Sequence, residues 1–239
     1  MGTPSGVRTS IGLSNSAASL NQWSVSARSF FDQFGGWSVS LDGWVSVRPR
    51  PNIELAFAPG FLRATDSRQF FDNLTGGSES TYGRRYVFSR LSRSEIYAQL
   101  SASIAIAPEL TVELYAEPFA SSGHYTDFGE LAEAGGSQLR LYGTDGTTAE
   151  PTEDGLLVTD GDQSFTLWNS DFVVRSFRTN TVLRWEWRRG STLFLIWQQN
   201  RWYWDNRGDA AGAGSLFRSV GDPGENVLVV KLSYWLSLD

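Results

Sequence analysis

Residues 95–118, "EIYAQLSASIAIAPELTVELYAEP", alternate apolar and polar positions with a period of two. Ile96, Ala98, Leu100, Ala102, Ile104 and Ile106 fall on one side. Glu95, Tyr97, Gln99, Ser101 and Ser103 fall on the other. After Pro108 the alternation resumes, with Leu110, Val112, Leu114 and Ala116 set against Thr111, Glu113, Tyr115 and Glu117. This is the pattern of two strands with one apolar face, joined by a tight turn. It recurs along the chain. Trp23, Val25 and Ala27 mark one strand, and Trp37, Val39, Leu41, Val45 and Val47 a second. "RPRPN" should end that second strand, because its prolines cannot donate to a ladder. Ile53, Leu55 and Phe57 open a third.

The stretch "YGRRYVFSRLSRSEIYAQLSASIAIAP", residues 82–108, reads as one very long strand, since Tyr86 and Phe88 stay in phase with Ile96 through Ile106. Its expected partner is an equally long third strand over 53–71. Further strands are expected over 110–119, 172–187, 192–204 and 227–238, which makes about eight. No long amphipathic helix is evident. The connections "RPRPN", "APE" and "RRGS" are short. "DQFG" is also short but lies on the side of the long loops, which are expected near 66–80, 121–170 and 205–224. Short turns at one end and long loops at the other are the arrangement of outer-membrane barrels. The fold expected is all-β, an antiparallel up-and-down transmembrane β-barrel of about eight strands or the C-terminal part of a larger barrel. The barrel domain would occupy 22–239. Residues 1–21 form a separate N-terminal segment, where Val7, Thr9, Ile11 and Leu13 suggest an additional, truncated strand. With no leader evident at the N-terminus, the expectation leans to a piece of a larger barrel.

Composition sharpens this picture. The chain has 239 residues and is 41% hydrophobic, which alone decides nothing, but it carries 10 Trp. Trp23, Trp37, Trp185, Trp187, Trp197, Trp202, Trp204, Tyr234 and Trp235 cluster near expected strand ends, as in aromatic girdles. There is no Cys and one His, which excludes a disulfide framework, a zinc–thiolate site and a His-rich metal site. The net charge of -6 argues against nucleic acid. The terminal "NVLVVKLSYWLSLD" keeps Leu228, Val230, Leu232, Tyr234, Leu236 and Leu238 on one face. Such an edge would aggregate in water. In an outer-membrane barrel it is the strand read by the insertion machinery, here through Lys231, Ser233, Leu236 and Leu238, although Asp239 replaces the usual terminal aromatic. A soluble β-sandwich or surface-attached carbohydrate-binding protein is the alternative.

Five segments carry a resemblance: "TYGRRYVF", "LYAEPFASSGHYTDFGEL", "LYGTDG", "DFVVRSFRTNTVLRWEWRRGSTLFLIWQQNR" and the terminal "VVKLSYW". They resemble the C-terminal β-barrel known as domain of unknown function 5916, from about Arg48 onward. That domain often follows a family 9 carbohydrate-binding-like module in Gram-negative outer-membrane proteins. The family usually has Pro where Arg189 stands. The resemblance implies an outer-membrane barrel with outer-membrane lipid and the insertion machinery as partners, and a possible link to capture of a glycan or small solute. It transfers no catalytic residue. Family members are longer and carry the sugar-binding module first, which this chain lacks.

Candidate chemistry is sparse. Glu95, Glu113, Glu117, Arg184, Glu186, Arg188 and Lys231 lie on wet faces and are the expected lining of the interior, paired into an ionic network if the lumen is narrow. His124 and Tyr125 sit in the expected long loop beside Ser121, Ser122 and Asp127. A hydroxyl nucleophile needs an oriented imidazole within hydrogen-bond reach, and residues this close in one loop rarely provide it. No enzyme activity is expected. Asp160 and Asp162, flanking Gly161 in an acidic loop, could offer oxygen ligands to calcium but lack EF-hand spacing. They are retained, with His124 and Tyr125, only as loop-binding candidates, and no cofactor is expected.

Overall fold

The computed structural model describes residues 4–236. In chain order the strands are β1 (Gly6–Ser14), β2 (Gln22–Asp32), β3 (Trp37–Arg50), β4 (Ile53–Thr75), β5 (Arg84–Ala107) and β6 (Leu110–Leu131). There follow β7 (Leu139–Leu141), β8 (Thr147–Pro151), β9 (Gly155–Asp160), β10 (Gln163–Trp168), β11 (Phe172–Arg188), β12 (Ser191–Asp205) and β13 (Gly224–Ser233). The helix α1 (Ala213–Ser219) lies between β12 and β13.

Nine strands form one antiparallel meander in the order β1-β2-β3-β4-β5-β6-β11-β12-β13, with β7 added beside β6. The segment β8–β10 folds into its own three-stranded sheet. Among the described residues β1 and β13 do not pair with each other, so the large sheet is open and both its edge strands are exposed on both faces. The stretches with a period-two pattern are strands. Residues 84–107 are one strand, and its pairing with β4 runs from Ile53↔Ile104 to Thr75↔Arg84.

Several expectations are corrected. "VRTSIGLS" is a full ninth strand, β1, paired with β2 from Gly6↔Asp32 to Ser14↔Ser24. The loop expected at 66–80 is mostly strand, because β4 continues to Thr75. The loop expected at 121–170 begins with eleven more residues of β6 and then holds the small sheet. The loop expected at 205–224 contains α1. β3 passes through Pro49 at a register shift and stops before Pro51. β13 ends at Ser233 rather than continuing to the C-terminus, and Leu238 and Asp239 lie outside the described residues. The upper strand segments were hidden because the ladder shifts register at Asp66/Gln69, Phe70/Asp72 and Phe88/Arg90. Each bulge flips the side-chain phase and breaks the alternation a sequence reader looks for.

β4, β5 and β6 have 23, 24 and 22 residues. At about 3.3 Å per residue they span roughly 75 Å, far beyond a typical strand. The packed core sits only at their upper ends. Val87 on β5 is fully buried with Tyr142, Val158 and Leu167, and Phe71, Phe128 and Phe165 pack around them. Phe71 meets Phe128 edge-to-face at 4.9 Å between ring centroids. The small sheet is therefore held on the long strands by burial, while among the described residues their lower halves carry no packed core.

Candidate functional site

The lower half of the sheet presents two chemically opposite faces. Pairing keeps like with like: Leu13↔Val25, Val45↔Phe57, Phe57↔Leu100, Ala102↔Leu114, Leu183↔Val112, Leu183↔Leu195 and Leu195↔Val230. One apolar band thus crosses all nine strands of the meander. It is not covered. Leu41 is 50% exposed, Leu100 40%, Trp197 46% and Leu232 65%. Water-soluble surfaces rarely present so continuous an apolar patch. On β5 the band runs from Ile96 to Ile104, nine residues, which is the length of a tilted strand crossing a bilayer core. Trp23 and Trp185 lie on this face near the turn-end of their strands, whereas Trp202 and Trp204 pair on the opposite face. The expected aromatic clustering is thus distributed over both faces.

The opposite face is polar, and most of the expected interior residues are on it. Glu95, Glu113, Glu117, Arg184, Glu186 and Lys231 share it, in register with Tyr97, Ser101, Ser103, Arg178 and Phe194. They form small local groups. Arg184 meets Glu186 at 3.0 Å, Glu95 meets Arg93 at 3.5 Å, and Glu117 accepts from the Tyr115 hydroxyl at 2.8 Å. Lys231 Nζ stands 5.6 Å from the Phe194 ring centre. Glu113 lines an open cleft of about 330 Å³ with Glu54 and Asn180. Arg188, at a register shift, reaches the Tyr234 hydroxyl at 3.3 Å. A second chain crosses the sheet where none was expected: Arg28 pairs with Asp42 at 3.0 Å, and Asp42 accepts from Tyr97 at 2.7 Å.

The loop-binding candidates fall into two places. His124 lies on β6, not in a loop. It pairs with Ser92, on the face opposite Ser121, while Ser122 Oγ accepts from the Ala211 N–H. The imidazole Nδ1 instead bonds Asp171 Oδ2, and Asp171 Oδ1 accepts the Tyr125 N–H. Among the described residues no Ser–His hydrogen bond is therefore assembled. Asp171, 47 residues away in sequence, gave no signal as a partner. His124 and Tyr125 border a cleft of about 310 Å³ whose other wall carries Glu153, Trp168 and Asn169. Trp168 is 63% exposed there.

Asp160 ends β9 and faces two guanidinium groups rather than an empty calcium loop. It meets Arg85 at 2.8 Å and Arg140 at 2.9 Å. Glu130 meets the same two arginines, at 2.9 Å and 3.3 Å, and accepts from the Tyr142 hydroxyl at 3.2 Å. The Arg140 hydrogen bond holds the Asp160 carboxyl below the usual carboxylate range, against the opposing effect of burial and with further help from Arg85. Burial, then the Glu130 charge, pushes the Tyr142 phenol up. This cluster ties β5, β6 and β7 to the small sheet. Asp162 stays in the turn after Asp160. Among the described residues no group of three or more His, Asp or Glu could hold a metal ion, and no helix is long and apolar enough to cross a membrane.

No curated protein and no solved structure matches the chain. A family model described as "Domain of unknown function (DUF5916)" matches residues 32–239, in agreement with the segments that carried the resemblance and extending it toward the N-terminus through β3. The chain therefore belongs to the DUF5916 family.

Proposed function

We propose that this chain is a wall of a transmembrane β-barrel in the outer membrane of a Gram-negative bacterium, serving as a membrane-embedded anchor, pore or uptake domain. One observation carries the reading: a largely uncovered apolar band, in register across nine strands and about one bilayer core in height, backed by a polar face. In hydrocarbon every backbone group needs a partner, and a hydrogen-bonded sheet supplies it except at its edges. β1 and β13 are such edges, so barrel closure requires further pairing of both. The short connections after β3, β5 and β11 would face the periplasm, and the small sheet and α1 the outside. The test is a paired substitution. Arg on the lipid face costs about 2–4 kcal/mol at the midplane. Leu100→Arg should block assembly into the outer membrane, and Gln99→Arg, one residue away on the polar face, should not. Equal tolerance would refute the assignment of faces.

A second reading, glycan contact at the outer end, is favoured by the cleft at Trp168. An exposed indole beside Glu153 and Asn169 offers a stacking surface with polar groups at its edge, the chemistry that suits a sugar ring. Trp168→Ala should abolish binding in a glycan array if this reading holds, while leaving membrane assembly intact.

A further inference from the structure

The loop after β12 folds back onto the upper part of the face that carries the apolar band. Ser94 Oγ donates to the Ala211 carbonyl at 2.8 Å and Ser122 Oγ accepts the Ala211 N–H at 2.8 Å. Arg175 grips Asp222 at 2.6 Å. These contacts bring Leu216 of α1 to the rim of a hollow of about 310 Å³ in the band. The hollow is walled by Leu41, Phe57, Pro59, Phe61 and Ile96, and Gly43 adds no side chain to it. A Cβ at Gly43 would stand 3.3 Å from the Pro59 ring, so the backbone there is closely flanked.

Directly above lies a second hollow, of about 350 Å³, with a different lining. The step between them is one same-face position: Phe61 to Arg63 on β4 and Ile96 to Ser94 on β5. The upper hollow holds Arg63, Thr65, Ser92 and His124, and no carboxylate lines it. Arg63 is exposed and makes no ion pair among the described residues. The Asp171 carboxylate holds the His124 ring in place through Nδ1.

We infer that the two hollows are one binding site for an outer-leaflet lipid with a phosphate headgroup. An acyl chain fills the lower hollow beside Leu216. The phosphate sits against Arg63, with Thr65 and Ser92 hydroxyls as further donors. The charge fits: an unpaired guanidinium at the upper margin of an apolar band meets the level where anionic headgroups begin. This rests on the reading that the band faces lipid, and it adds a specific lipid to a general one.

Native mass spectrometry of the full chain in a non-ionic detergent tests it, with dimyristoyl phosphatidate as the probe. Dimyristoylglycerol, which has the chains without the phosphate, and inorganic phosphate, which lacks the chains, are the comparison arms. The chain should retain phosphatidate, bind the diacylglycerol about tenfold more weakly or worse, and show no competition from millimolar phosphate. Arg63→Gln should weaken retention about tenfold, and Gly43→Leu should abolish it by filling the hollow. If Gly43→Leu fails to fold, Leu216→Asp puts a charge at the mouth of the hollow and should have the same effect. Equal retention of the diacylglycerol, an unchanged Arg63→Gln variant, or phosphate competing as well as the lipid would each overturn the site. A chain that is folded and dispersed without detergent overturns the membrane reading and the site together. Detergent dependence with any of the other failures overturns the site alone.

Discussion

Tyr97 on β5 reaches over β4 to donate its hydroxyl to Asp42 on β3, at 2.7 Å. The strand it crosses offers Gly60 at that point, and a Cβ there would stand 2.1 Å from the Tyr97 ring. Asp42 in turn pairs with Arg28 on β2. One glycine thus opens a passage on the polar face through which four strands are stitched together.

Gly60→Ala should therefore cost more than an ordinary strand Gly→Ala change. The methyl must displace the phenol ring, and the overpacking is worth about 1–3 kcal/mol. Tyr97→Phe, which keeps the ring and loses the hydrogen bond, should cost about 1 kcal/mol. The two changes share one contact, so the cycle should be strongly non-additive. Urea unfolding midpoints of the four species read this out. Additive losses would mean that Tyr97 does not lie over Gly60.

The Asp160 cluster predicts an acid-side weakness of the small sheet. Its pKa is depressed in the folded state, so its contribution is fully present above the unfolded value of about 3.9 and is lost as pH falls through the lower folded value. Amide exchange in β9 should be slow near neutral pH and rise, beyond the intrinsic rate, on acidification below about 4. Asp160→Asn should exchange faster at neutral pH and lose that acid-dependent step. An unchanged pH profile in the variant would show that another group controls the opening.

Orientation can be read with trypsin on intact cells. Arg207 is exposed in the loop after β12, and Arg189 is exposed in the turn between β11 and β12 at the opposite end. Cleavage after Arg207 with Arg189 spared matches the proposed topology. Cleavage after Arg189 with Arg207 spared inverts it.

Much of the sheet was legible from sequence because its lower half is regular. From Ile53 to Phe61 and from Ile96 to Ile104 every side chain obeys the pleat, so phase alone placed Leu100 opposite in character to Gln99. The upper half was not legible for local reasons. Bulges at Asp66/Gln69 and Phe88/Arg90 shift the phase, and β8–β10 have only five or six residues each amid Gly, Asp and Glu. "GLLVTD" and "QSFTLW" around Asp160–Gln163 were the available hairpin signal, with Gly161 at φ +60° in the turn. Asp171 as the partner of His124, and Asp160 as the partner of Arg85 and Arg140, depend on contacts distant in sequence that no spacing rule encodes. The seven residues of α1 are too few to show helical periodicity.

The central claim is that one face of this sheet meets hydrocarbon and the other does not. The chain has no Cys, so a single cysteine at each position from Ile96 to Ile104 can carry a fluorescent label without background. With the full chain in bilayers containing lipids brominated along their acyl chains, quenching should alternate. Labels at 96, 98, 100, 102 and 104 should be strongly quenched, and those at 97, 99, 101 and 103 weakly. Uniform quenching along the stretch, or quenching confined to the odd-numbered positions, would contradict the account.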